Sequence, residues 1–131
     1  MSQPCILIVE DEAVIARDIQ ATLVQLGYLV PPPVASCEEA LEAVLKHRPD
    51  LILMDIRIQG DVDGIETGAR IRDAYGTPLV YLTSYSDATT MATAKAGGAA
   101  GYLLKPFRKH DLEAVVSLAL QKRSYPAGIG R

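Results

Sequence analysis

Cys5-Ile-Leu-Ile-Val-Glu-Asp-Glu12 is the stretch on which the fold turns. An unbroken apolar run gives way, with no spacer, to three carboxylates. Apolar side chains at every position, rather than every second one, describe a strand buried on both faces. That is the habit of parallel strands covered by helices. Leu51-Ile-Leu-Met54, Leu79-Val-Tyr-Leu82 and Gly101-Tyr-Leu-Leu104 have the same character, and a weaker extended segment runs from Tyr28 to Ala35. Strand starts near positions 5, 29, 51, 79 and 101 leave room for one crossover helix in each interval.

The intervals carry the helical period. Ile15, Ile19, Leu23 and Leu26 share a face and stop at Gly27, a C-cap signal. Ser36-Cys-Glu-Glu39 has capping-box form and opens a helix with Ala40, Leu41, Val44 and Leu45 on one side, closed before Pro49. Ile65 to Ala74 ends near Gly76, Asp87 to Ala96 stops at Gly97-Gly98, and Leu112, Val115, Val116 and Ala119 mark the last helix. The pattern predicts an α/β fold, (βα)5, a doubly wound parallel five-stranded sheet with helices on both faces. Pro31-Pro32-Pro33 cannot donate ladder hydrogen bonds, so the second strand must lie at an edge or be partly irregular. The flavodoxin-like order 2-1-3-4-5 puts it at an edge.

The 131 residues amount to one domain, large enough to bury roughly two-thirds of its unfolded surface. Thirteen Lys+Arg against sixteen Asp+Glu give a net charge of −3 and no basic surface for nucleic acid. Apolar stretches of about six residues fall far short of the ~20 that a membrane helix needs. Met1 to Pro4 leads straight into the first strand without signal-peptide features. Cys5 and Cys37 form no metal-spaced pair and read as reduced, buried thiols of a cytoplasmic protein. The domain is expected over residues 4–123, with 124–131, carrying Pro126, Gly128 and Gly130, as a flexible tail or linker stub.

Open α/β sheets place their sites outside the carboxyl ends of the strands, where strand order reverses. The strand ends here are Glu10-Asp11-Glu12, Asp55, Thr83-Ser84 and Lys105-Pro106. Adjacent central strands therefore bring Glu10, Asp11 and Asp55 to one crevice. Carboxylates that close repel, and some would shift upward in pKa. A hard divalent cation relieves this, and oxygen ligands with open water positions suit Mg²⁺. Such an ion also lets a dianionic phosphoryl group approach a carboxylate. With the Lys105 ammonium and the Thr83 hydroxyl, the set makes a phosphoryl-accepting site. Singly, each residue reads as a turn or a helix N-terminus; the combination is what carries the chemistry.

Ile6-Leu-Ile-Val-Glu-Asp-Glu12, Leu53-Met-Asp-Ile56, Leu82-Thr-Ser84 and Gly101-Tyr-Leu-Leu-Lys-Pro-Phe107 resemble the signature blocks of response-regulator receiver domains, over about residues 4 to 123. The resemblance implies that Asp55 is the phosphoacceptor of a two-component system, loaded from a histidine kinase or a histidine phosphotransfer protein. It implies Mg²⁺ on Asp11 and Asp55, with the Arg57 main-chain carbonyl as third ligand and Glu10 acting through water. Lys105 would pair with phosphoryl oxygens. Thr83 would hydrogen-bond to them, Tyr102 would turn inward as the aromatic switch, and Pro106 would follow a cis peptide. Self-catalysed phosphorylation and dephosphorylation, rather than turnover of a substrate, would drive a downstream output domain or protein. A phosphorylation-dependent homodimer through the last helices is a family habit. A free-standing phosphorelay intermediate and a receiver cut from a longer chain both stay open.

The departures are local. Arg57-Ile-Gln-Gly-Asp-Val-Asp-Gly64 lacks the proline common after the acceptor and is one residue longer. Asp61 and Asp63 fall short of a calcium loop, and Gly64 makes the turn into the third helix. Arg108 stands where a capping Ser or Asp is usual. Val14, Arg17 and Phe107 are expected as kinase-docking contacts, His47 and His110 as surface or capping residues. Arg57 and Tyr85 flank the path of an attacking water and predict slow loss of phosphate. A haloacid-dehalogenase-like phosphatase would need a second acid in Asp55-Ile56-Arg57, and a flavodoxin-like cofactor site would suffer repulsion from Glu10-Asp11-Glu12.

Overall fold

The computed structural model describes residues 3–84, Asp87 and 98–123. Its elements follow in the order β1 (Ile6–Val9), α1 (Ala13–Gln25), α2 (Cys37–His47), β2 (Leu51–Asp55), α3 (Gly64–Tyr75), β3 (Leu79–Thr83), β4 (Gly101–Leu104) and α4 (Lys109–Arg123). The strands pair in parallel in the order β1-β2-β3-β4. The helix expected over Asp87–Ala96 and the tail 124–131 lie outside the described residues, apart from Asp87 itself.

Unbroken apolar runs have the two-sided burial that parallel strands require. Ile6, Leu7, Ile8 and Val9 are all fully buried, and their side chains alternate between two cores. Ile6 and Ile8 join Ile19 and Leu23 of α1 and Leu112 and Val116 of α4 on one face. Leu7 and Val9 join Ala40 and Val44 of α2 and Ile71 of α3 on the other. Helices on both faces make the sheet doubly wound. Each fully buried Leu or Ile contributes about 1.5–3 kcal/mol over its exposed state, so the sheet's central strands are its main anchor.

The expected second strand, Tyr28 to Ala35, is where expectation and structure part. Residues 29–34 touch the free edge of β1 only at two bridges, Cys5 with Leu29 and Val9 with Val34. Leu29 N donates to Pro4 O at 3.0 Å and Val34 N to Ile8 O at 3.0 Å, while Pro31, Pro32 and Pro33 between them have no N–H to give. The segment holds the edge position of order 2-1-3-4-5 without becoming a strand. Among the described residues, the doubly wound sheet has four strands, and the bridged segment stands in the edge place expected for the other.

Cap chemistry sets the helix ends. Ser36 Oγ accepts from Glu39 N at 3.2 Å, and the Glu39 carboxylate accepts from Ala35 N at 2.8 Å, one residue before the cap. Gly27 (φ +98°) and Gly76 (φ +71°) take the left-handed conformation just past α1 and α3. Arg108 has no side-chain acceptor for the first-turn amides of the last helix, but its own amide donates to the Asp111 carboxylate at 3.0 Å, the reciprocal half of a capping box. Cys37 is buried as expected, whereas Cys5, at the margin of β1, is only half-buried; both are free thiols.

Candidate functional site

Strand register builds the site. Val9 sits beside Met54, so Glu10 and Asp55 leave neighbouring strands level with one another. Thr83 sits beside Leu104, and Lys105 is the next residue on β4's strand, with its amide donating to Thr83 O at 2.6 Å. The Lys105–Pro106 peptide is cis. Lys105 Nζ then reaches inward and donates to Glu10 Oε1 at 2.8 Å and to Asp55 Oδ2. The other Asp55 oxygen accepts from Arg57 N at 2.9 Å, and the other Glu10 oxygen from Glu12 N at 3.0 Å. All four carboxylate oxygens are therefore directed.

Gly64 is part of this construction. The chain turns back so closely that Gly64 N donates to Ile56 O at 2.7 Å, and a Cβ at that position would stand 1.9 Å from the Asp55 carbonyl oxygen. Only glycine lets α3 begin there. Asp63, just before it, caps α3 by accepting from Glu66 N at 2.9 Å.

Glu10 and Asp55 are almost wholly buried, at 3% and 6% exposure, and share one ammonium. Burial pushes the Glu10 carboxyl up to about 7, its hydrogen bond with Asp55 adds to this, and Lys105 opposes it. Burial works against the Lys105 charge, yet the hydrogen bonds to Asp55 and Glu10 outweigh it and hold the ammonium above its ordinary value. Glu10, Asp11 and Asp55 each offer an oxygen within 4.8 Å of the others, with Asp11 on the solvent side. A three-carboxylate oxygen set with one open face fits a hard divalent cation.

A crevice of about 330 Å³ opens above these groups, lined by Asp11, Glu12, Asp55, Arg57, Thr83, Ser84, Asp87 and Lys105. Thr83 is buried in its wall, with its hydroxyl donating to Ser84 O at 3.4 Å rather than to Asp55. Tyr102 stands apart: it packs beside the core between the sheet and α2 and α3, half-buried. Val14, Arg17 and Phe107 border a separate groove of about 760 Å³ between α1 and the Lys105–Phe107 loop. Tyr85 lies outside the described residues. Missing from the sequence reading is the partner of the Arg57 side chain. Arg57 Nε and Nη2 both bond Asp87 Oδ1, at 2.8 and 2.6 Å, and Ser84 Oγ donates to Asp87 Oδ2 at 3.0 Å. Nothing in the spacing of positions 57 and 87 announces that pair.

Residues 6–117 match the profile of the response regulator receiver domain. The chain belongs to that family. The receiver is 35% identical over 117 residues to the transcriptional regulatory protein PdtaR of Mycobacterium tuberculosis, a match covering 89% of this chain and 57% of PdtaR. It is 31% identical over 119 residues to the regulatory protein AfsQ1 of Streptomyces coelicolor, covering 91% of this chain and 52% of AfsQ1. It thus spans about half the length of these curated relatives. Among solved structures, the signal receiver domain of a modulated diguanylate cyclase from Desulfovibrio desulfuricans superposes with a TM-score of 0.86 at 35% identity, covering 94% of this receiver and 98% of that chain. The NtrX receiver domain from Brucella abortus gives 0.84 at 28% identity, covering 88% and 98%. Among the described residues of the receiver, no helix is long and apolar enough to cross a membrane.

Proposed function

We propose that this receiver, residues 4–123, accepts a phosphoryl group on Asp55 from the phosphohistidine of a histidine kinase or histidine phosphotransfer protein. The observation that carries this reading is Lys105 Nζ shared between Glu10 and Asp55 beneath an open crevice. In the transfer, the donor's P–N bond breaks as an Asp55 Oδ–P bond forms, and the histidine nitrogen keeps the electron pair. Lys105 exchanges its bond to Asp55 for one to a phosphoryl oxygen. Asp11 and Asp55 would hold Mg²⁺, with the Arg57 carbonyl as third ligand and Glu10 acting through water. When bound, the ion offsets the acidic set and admits a dianionic group to a carboxylate.

Thr83 then turns its hydroxyl from Ser84 toward the phosphoryl group, and Tyr102 moves into the space released. That two-state change is the signal an output domain or partner protein reads. Val14, Arg17 and Phe107, with Val14 81% exposed on α1, form the kinase's docking surface beside the crevice. The chain acts as a self-phosphorylating and self-dephosphorylating acceptor in the cytoplasm, not as a turnover enzyme. The test is transfer from a labelled histidine kinase domain. Label should reach wild type in Mg²⁺ and be lost on chelation and in Asp55→Asn; undiminished label in either sinks the reading.

A further inference from the structure

Among the described residues, two cations line the crevice, and they are committed differently. Lys105 is 20% exposed at its side chain and spends its ammonium on Glu10 and Asp55. Arg57 is 72% exposed, and its guanidinium meets Asp87 through Nε and Nη2 on one oxygen, leaving Nη1 without a partner among the described residues. Asp87 is itself buried at 5% exposure and fixed on its other oxygen by Ser84. The guanidinium is thus anchored along one edge and open along the other, at the rim of a crevice that also holds Asp11, Glu12 and Asp55. Without Arg57, the Asp87 carboxylate would add one more negative charge facing any incoming phosphate.

We propose that the Arg57 side chain, braced by Asp87, binds the phosphoryl group of the incoming donor, both by offering its free edge and by cancelling the Asp87 charge. The inference rests on Asp55 being the acceptor. With acetyl phosphate as donor, the P–O bond to acetate breaks, acetate leaves with the electron pair, and the new bond is Asp55 Oδ–P. Arg57 holds the phosphoryl oxygens through a charge-assisted bond of fixed direction. Its main-chain amide, which supports Asp55, is untouched by side-chain truncation, so substitution isolates the guanidinium.

The experiment follows acyl phosphate formation against acetyl phosphate concentration in Mg²⁺. Arg57→Ala should raise the half-saturating concentration about three- to tenfold, as expected for an exposed charge-assisted contact, with the effect on binding rather than on the limiting rate. Arg57→Lys should lie between Arg57→Ala and wild type. Adding Asp87→Asn to Arg57→Ala should recover part of the loss, because the unmasked charge is gone; a merely structural pair would be worsened by the second change. In Asp55→Asn, which cannot be labelled, the Arg57 Nε resonance should shift as acetyl phosphate is added. Half-saturation unchanged in Arg57→Ala, or no shift of that resonance, overturns the proposal while leaving the acceptor reading intact. Failure of wild type to form any acyl phosphate removes the acceptor reading and this inference with it.

Discussion

Lys105 Nζ and Glu10 Oε1 meet at 2.8 Å across 95 residues of chain, and the same ammonium holds Asp55. The contact joins the first strand's end to the last strand's end over the middle of the sheet. Removing the ammonium strands two carboxylates in a nearly dry site, which is a far larger penalty than losing a surface ion pair. Lys105→Met should lower stability by about 2 kcal/mol at pH 8 without Mg²⁺. The loss should shrink at pH 6, where Glu10 can hold a proton, and shrink again when Mg²⁺ is added. Urea unfolding at both pH values checks this; equal stability of variant and wild type at pH 8 contradicts it.

The raised Glu10 carboxyl ties stability and metal affinity to pH in opposite directions. In the folded, metal-free chain Glu10 keeps its proton up to about 7, whereas an unfolded Glu gives it up near its ordinary 4.5. Between those values the folded state binds more protons, so this contribution to stability is complete below 4.5 and is lost as pH rises through 7. Mg²⁺ held as proposed would compete with that proton, so its binding should weaken by up to about tenfold per pH unit below 7. Glu10→Gln should flatten both profiles. Urea midpoints and Mg²⁺ titrations at pH 5.5 and 8 report them, and a Mg²⁺ affinity independent of pH across that range would count against the linkage.

Gly64 is expected to be intolerant of even one methyl group. The clash would fall on the Asp55 carbonyl and on Ile56 Cα, which are backbone atoms with no rotamer to yield. Gly64→Ala should cost about 2–3 kcal/mol, in the range of overpacked cores, and should also reduce labelling because Asp55 moves with its carbonyl. Calorimetry and a phosphorylation assay on the same sample decide it. A variant with wild-type melting and wild-type labelling would mean the loop relaxes freely.

Asp63 is a helix cap, so its replacement has a modest and specific outcome. Asp63→Ala should lower stability by about 1 kcal/mol through loss of the bond to Glu66 N. Asp61→Ala should fall within about 0.5 kcal/mol of wild type, as surface changes do. Calcium should alter neither difference. Calcium-dependent melting abolished by Asp63→Ala would restore the metal-loop reading of these two acids.

Much of this was legible in the sequence because strand ends are set by simple chemistry. Where an apolar run buried on both faces stops, the next polar residue must emerge at the sheet's edge, and parallel register aligns those residues across strands. Glu10, Asp55, Thr83 and Lys105 could be placed by that argument alone. The second strand was half legible: the prolines fixed its edge position, but whether two bridges could replace a ladder depends on the β1 edge it leans on. Arg57 shows the limit most clearly. Its main chain follows from its place after Asp55, while its side chain answers to Asp87, 30 residues further on. Long side chains choose partners in space, and no periodicity encodes that choice. The same holds for Gly64, where the reason for glycine is the approach of a carbonyl from β2 rather than a turn dihedral.

The most direct test of the account is chemical location of the phosphoryl group. Wild-type protein labelled with acetyl phosphate and Mg²⁺ is reduced with borohydride, which converts a phosphorylated aspartate to homoserine, and the peptides are sequenced by mass spectrometry. The prediction is homoserine at position 55 and at no other carboxylate. Reduction at Asp11, Glu10 or Asp87 instead, or no reduction in a sample that carries label, would contradict it.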